Sequence, residues 1–144
     1  MAITVLVAVP ASISLNHHLY RSINSNENPT SQRAELTALI MALEAGLRRK
    51  SQLRGNPHFQ FSILTDSMYV INCLTKFHWK WKQNGWINSR GLPVSNQDLI
   101  QRALYLHDRI VNEGSGGCIQ FEHVSREMNE EADRLANLGC DEAL

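Results

Sequence analysis

Apolar positions change their period several times along the chain, and each change marks an element. Ile3–Val9 is a continuous, β-branched-rich run that stops at Pro10, the pattern of a buried strand. Ser12–Ile23 partly alternates and predicts a second strand, followed by the loop Asn24-Ser25-Asn26-Glu27-Asn28-Pro29. Leu36, Leu39, Ile40, Leu43 and Leu47 then recur at helical spacing. That helix is expected to begin near Thr30 or Ser31 and to end in Arg48-Arg49-Lys50, where the helix dipole favours cations. Phe59, Phe61 and Ile63 alternate and stop at Thr65-Asp66, which places Asp66 at the C-terminal end of a strand. A short helix should follow with Met68, Ile71 and Leu74 inward. Leu99, Ala103, Leu106 and Ile110 mark another helix, capped by Ser95 or Asn96, and Ile119, Phe121 and His123 alternate as a last strand. The final helix, near Met128–Leu138, turns Met128, Ala132, Leu135 and Ala136 to the core and stops at Gly139. The order β, β, α, β, α, α, β, α predicts a mixed α/β fold, and with no internal repeat or linker it forms one domain over residues 1–144.

Composition excludes several classes. Of 144 residues 43% are hydrophobic and 19% charged, too balanced for a disordered or collagen-like chain. No apolar stretch reaches the roughly 18 residues a membrane helix needs, and no basic segment precedes Ile3–Val9 as in a secretory signal. Cys73, Cys118 and Cys140 are odd in number and lack metal-ligand spacing, which predicts small apolar roles in a reducing, intracellular setting, with nucleus, mitochondrion and cytoplasm left open. Nothing in the pattern indicates an oligomer.

A net charge of zero hides an asymmetry. Ser67 to Gln97 contains no acidic residue but holds Lys76, Lys80, Lys82 and Arg90. Glu122 to Glu142, in contrast, is acid-rich, with Arg126 and Arg134 as its basic residues. One region can attract phosphate and the other can hold cations.

Asp66, at a strand-to-helix edge, stands where α/β sheets expose functional side chains, although the same position suits a helix N-cap. Glu35, early in its helix, and Asp133, bordering an apolar stripe, are each also compatible with an ordinary wet surface. Trp79, Trp81 and Trp86 are interleaved with Lys80 and Lys82, a combination of flat rings and cations suited to sugars, bases and phosphates. Under a structural reading Trp86, and alternatively Trp79, would instead be packing anchors beneath a loop.

The surrounding residues carry a resemblance. Thr30-Ser31-Gln32-Arg33-Ala34-Glu35-Leu36, Thr65-Asp66-Ser67-Met68-Tyr69 and Asn129-Glu130-Glu131-Ala132-Asp133-Arg134-Leu135-Ala136 resemble three blocks of type I ribonuclease H, in that family's order. Trp79-Lys80-Trp81-Lys82-Gln83-Asn84-Gly85-Trp86, with Ser89 and Gly91 beyond, resembles the family's basic protrusion. The resemblance runs from about Ala2 to Gly139 and implies a ribonuclease H-like mixed sheet flanked by helices. It implies an enzyme that binds RNA–DNA hybrids and hydrolyses the RNA strand with two divalent ions, Mg²⁺ with Mn²⁺ as the alternative. By the same resemblance Glu35, Asp66 and Asp133 are catalytic metal ligands, with Glu35 also near the RNA strand. Phe77 and Trp81 would line the DNA-strand groove, with Lys80, Lys82 and Ser89 on the same nucleic-acid surface. Thr30 and Asn96 would hold a DNA phosphate, and Ser31 and Gln32 would read RNA 2′-hydroxyls.

Three departures from the family pattern follow. Asn28 stands where the family places an arginine in the phosphate pocket, which weakens that grip. His123 lies on a strand rather than in the loop that carries a mobile histidine in many members. Most consequentially, the family has an aspartate in its first, central strand, whereas the acids before Asp66 here are Glu27, Glu35 and Glu44. Counting back from Glu35 aligns Ile3–Val9 with the family's second strand. Either the natural chain begins upstream, or Ile3–Val9 moves into the central place with apolar residues where the aspartate belongs. Both predict little or no turnover by the chain as it stands, and a hybrid-binding or protein-interaction module without chemistry is the alternative function.

Overall fold

The computed structural model describes residues 3–8, 17–19, 30–53, 59–114, 116–125 and 127. Its elements are β1 (Ile3–Ala8), β2 (His17–Leu19), α1 (Thr30–Gln52), β3 (Phe59–Thr65), α2 (Met68–Asn72), a π-helical turn (Cys73–Phe77), α3 (His78–Asn84), α4 (Gln97–Asn112) and β4 (Gly117–His123). The expected helix near Met128–Leu138 lies outside the described residues, as do Asp133 and Cys140.

The strands form one mixed sheet in the order β2-β1-β3-β4. β3 and β4 are parallel, from Phe59 opposite Gly117 to Thr65 opposite His123, and the helices between them supply the long crossover that parallel pairing requires. β1 is antiparallel to β3, from Ile3 opposite Thr65 to Ala8 opposite Gln60, and antiparallel to β2 on its other side. The run Ile3–Ala8 therefore takes an interior position, with Ile3 paired at the sheet end that carries Asp66. β1 and β3 are the two interior strands of the four, and the strand beside β3 is the apolar run Ile-Thr-Val-Leu-Val-Ala. β3 accordingly has hydrogen-bonding neighbours on both edges, which a buried strand needs because unpaired backbone groups cost about 1–3 kcal/mol each.

Alternation along β3 buries Phe61, Ile63 and Thr65 and leaves Ser62 and Leu64 half-buried. The core joins Phe61 and Ile63 to Leu36, Leu39 and Leu43 of α1 and to Ile100, Ala103, Leu106 and Ile110 of α4. The fit between α1 and the sheet is close at Gly46, where a Cβ would lie 2.8 Å from the Phe61 ring. At the far ends of α1 and α4, the Lys50 ammonium donates to the Ile110 and Glu113 carbonyls at 2.7 and 2.5 Å.

The helix after β3 departs from expectation. Ser67 is its N-cap and Met68 its first residue, so Met68 is 44% exposed while Val70, Cys73 and Leu74 are buried. Nor does the helical path stop near Leu74. It widens into the π-helical turn and continues as α3 to Gly85, whose φ of 77° provides the left-handed cap as its N–H reaches the Trp81 carbonyl. Asn96 does precede α4, with φ 62°, but its side chain does not cap the helix.

Candidate carboxylate site and nucleic-acid interface

Glu35 sits in the second turn of α1, half-buried, and Asp66 directly follows β3. Ser67 joins them: its hydroxyl donates to Glu35 Oε2 at 2.5 Å and accepts the Val70 N–H at 3.3 Å. The helix cap is thus Ser67 rather than Asp66, and the capping role that competed for Asp66 falls away. The turn itself is fixed from two sides. The Ser67 N–H donates to Thr65 Oγ1 at 3.1 Å, and the Val124 N–H donates to the Thr65 carbonyl at 3.0 Å. His123 Nε2 lies 3.3 Å from the Asp66 carbonyl, and because a carbonyl can only accept, that nitrogen carries the proton.

Two of the three matched carboxylate blocks therefore meet at one end of the sheet, and the third lies outside the described residues. Among the described residues no three His, Cys, Asp or Glu side chains come together as a metal site. Glu35 and Asp66 are hard oxygen donors, the type that a dication takes in small number while completing its shell with water and phosphate.

A second network leads from this site to α4. The Arg33 guanidinium donates to both carboxylate oxygens of Asp98, at 3.1 and 3.0 Å, and to Asn96 Oδ1 at 3.3 Å. Asn96 Nδ2 in turn donates to the Tyr69 hydroxyl at 3.3 Å. Burial, reinforced by nearby Cys73 and Glu35 and opposed by the Asn96 bond, pushes the Tyr69 phenol up to about 12, so it remains a neutral hydroxyl. The Cys73 thiol is raised to about 11 by burial and is an unreactive core group, as its sequence context suggests.

The remaining candidates lie on α1, the π-helical turn, α3 and the segment after it. Thr30 and Ser31 open α1 and Gln32 is exposed in its first turn. Phe77 and Trp81 bring their rings to 5.5 Å, tilted by 55°, and Trp86 lies 5.9 Å from Trp81. Lys80, Lys82 and Ser89 are exposed. Trp86 and Trp81 pack partly against the core, as expected of Trp86. Trp79 is not an anchor: it is 64% exposed, because the wide turn directs His78 rather than Trp79 inward.

The sequence does not mark Ser67, Arg33 and Tyr69 as site residues, and it leaves Trp79 open between a binding ring and a packing anchor. For Ser67 a signal existed, since a serine three residues before the buried Val70 at a strand end is an N-cap pattern. For Arg33 and Tyr69 the sequence offers only residue type.

Comparison with known families matches residues 7–141 to RNase H. The chain belongs to the ribonuclease H family. It is 39% identical over 115 residues to a ribonuclease H of Methylococcus capsulatus, covering 80% of this chain and 66% of that protein. A ribonuclease H of Saccharopolyspora erythraea is 36% identical over 131 residues, covering 88% of this chain and 76% of its own length. A third, of a Jannaschia species, is 42% identical over 112 residues, or 76% of this chain and 62% of the relative. The chain thus spans about two thirds of the length of the curated relatives it matches. The family fold expected from the sequence is the fold observed, and no helix among the described residues is long and apolar enough to cross a membrane.

Proposed function

We propose that this domain binds RNA–DNA hybrids and is built for divalent-metal hydrolysis of the RNA strand, with slow turnover by the chain as it stands. The observation that supports this reading most directly is the Ser67 bond to Glu35, which gathers Glu35 and Asp66 at one sheet end. Family membership and the acid-free stretch from Ser67 to Gln97 supply the rest.

Glu35, Asp66 and Asp133 would hold the metal, with Mg²⁺ matching the hard donor set and Mn²⁺ a workable substitute. Bound there, two divalent ions supply an activated water and stabilise the leaving oxygen of a phosphodiester. The chain's own residues do the positioning. Ser67 fixes the rotamer of Glu35, and the Thr65–Val124 bond fixes the backbone that presents Asp66. Gln32 and Ser31 face the RNA minor groove, Thr30 and Asn96 take a phosphate of the DNA strand, and Phe77 and Trp81 lie against its sugars. Lys80 and Lys82 neutralise phosphates alongside, with Ser89 at the end of the same surface.

A second reading, hybrid binding without chemistry, draws on β1. The strand in the central place is Ile-Thr-Val-Leu-Val-Ala and carries no carboxylate, whereas the family keeps an aspartate there.

A cleavage assay on hybrid with labelled RNA and added Mg²⁺ tests both readings. Slow metal-dependent cutting that Asp66→Asn abolishes supports the first reading. Binding without cutting supports the second, and failure to bind hybrid at low salt removes both. Fast cutting would show that turnover does not need a carboxylate on the strand beside β3.

A further inference from the structure

Trp79 is the most exposed of the large apolar side chains among the described residues. Phe77 and Trp81 stand four residues apart and meet on one side of the helix. Trp79 lies two residues from each, and at about 100° per residue it emerges on the opposite side. Its indole is steadied from beneath: the His78 ring lies 4.6 Å away, and the buried His78 donates its Nδ1–H to the Cys73 carbonyl at 3.2 Å. One turn on, the Lys82 ammonium stands 5.9 Å from the indole centroid, and Lys76 lies one turn before, exposed. No acidic residue occurs anywhere from Ser67 to Gln97.

A solvent-facing indole flanked by ammonium groups, on a stretch of chain without acidic residues, suits a flat ligand that carries negative charge. We propose that Trp79, with Lys82 and Lys76, is a stacking platform for an unpaired nucleotide, engaging a single-stranded extension that leaves the hybrid and passes around α3. The inference rests on the hybrid-binding reading for its context but makes a separate claim. The rings at Phe77 and Trp81 meet the paired region, whereas Trp79 meets a strand that has left it. Stacking on an aromatic tolerates any base, so the platform would recognise single-strandedness rather than sequence.

The test is a titration without divalent metal at low salt, using a blunt hybrid, the same hybrid with a single-stranded extension of about eight nucleotides, and that single strand alone. The wild-type chain should bind the extended hybrid about tenfold tighter than the blunt one, the scale of one base–aromatic stack. In Trp79→Ala the ratio should fall to about one, and Trp79→Phe should restore part of it. A wild-type ratio near one, or a ratio that survives Trp79→Ala, overturns the proposal. If the blunt hybrid does not bind but the single strand does, and Trp79→Ala abolishes that, the platform stands and the hybrid reading fails. If nothing binds, both fail. Trp79 is largely outside the core, so the variants should keep the wild-type circular dichroism spectrum.

Discussion

The hydroxyl of Ser67 serves two elements at once, donating to Glu35 of α1 and accepting from the first turn of α2. Ser67→Ala removes the helix cap and releases Glu35, and should lower stability by about 1 kcal/mol. Urea denaturation checks that figure. If the hydroxyl also orients Glu35 for metal, the Mg²⁺ concentration needed for half-maximal cleavage should rise as well, whereas a purely structural serine would leave it in place.

Gly46 lies in the middle of α1, where alanine would ordinarily favour a helix by about 1 kcal/mol. Here the added methyl would meet the fully buried Phe61 ring at 2.8 to 3.2 Å. Overpacking of this kind costs about 1–3 kcal/mol, so Gly46→Ala should destabilise the domain. A double variant with Phe61→Leu tests the cause, because it should recover part of the loss in thermal unfolding.

His78 and His107 both have their imidazoles held below the usual range, chiefly by burial, with the Lys82 charge adding to the effect at His78 and the His78 ring adding to it at His107. His107 also stacks on Phe121 at 6.2 Å. A folded-state value below the unfolded value of 6.5 means that the unfolded chain takes up protons first as the pH falls. Stability should therefore be full well above pH 6.5 and decline as the pH falls through the range below it. Thermal midpoints across that range should show the decline, and His107→Gln should flatten it.

Binding of blunt hybrid should depend on salt in proportion to the phosphates neutralised. Lys80→Ala should reduce the slope of log affinity against log salt by about one with little effect on preference for hybrid over DNA duplex. Trp81→Ala should weaken binding at every salt concentration by removing a stacking face, about five- to tenfold by fluorescence titration.

The fold was legible where burial imposes a period. Leu36, Leu39 and Leu43 on α1, Ala103, Leu106 and Ile110 on α4, and Phe61 and Ile63 on β3 all lie in the core as their spacing requires. Legibility failed where a local hydrogen bond or an extra residue resets the register. The Ser67 cap moved Met68 outward, and the π-helical turn, which no apolar period announces, turned His78 inward and Trp79 outward. The site follows the same division. Glu35 and Asp66 could be proposed from their blocks, but the bond by which Ser67 reaches Glu35 is visible only in three dimensions. The arrangement at Asn96 was out of reach for a similar reason, since Arg33 and Tyr69 are drawn to it from different helices.

Lys50 ends α1 with a positive charge where the helix is negative, and the same ammonium closes the carbonyl end of α4. The two helices thus share one latch at the end of the domain away from the carboxylates. Fraying of either releases the other, so amide protons in both last turns should exchange with solvent as a single opening unit rather than independently.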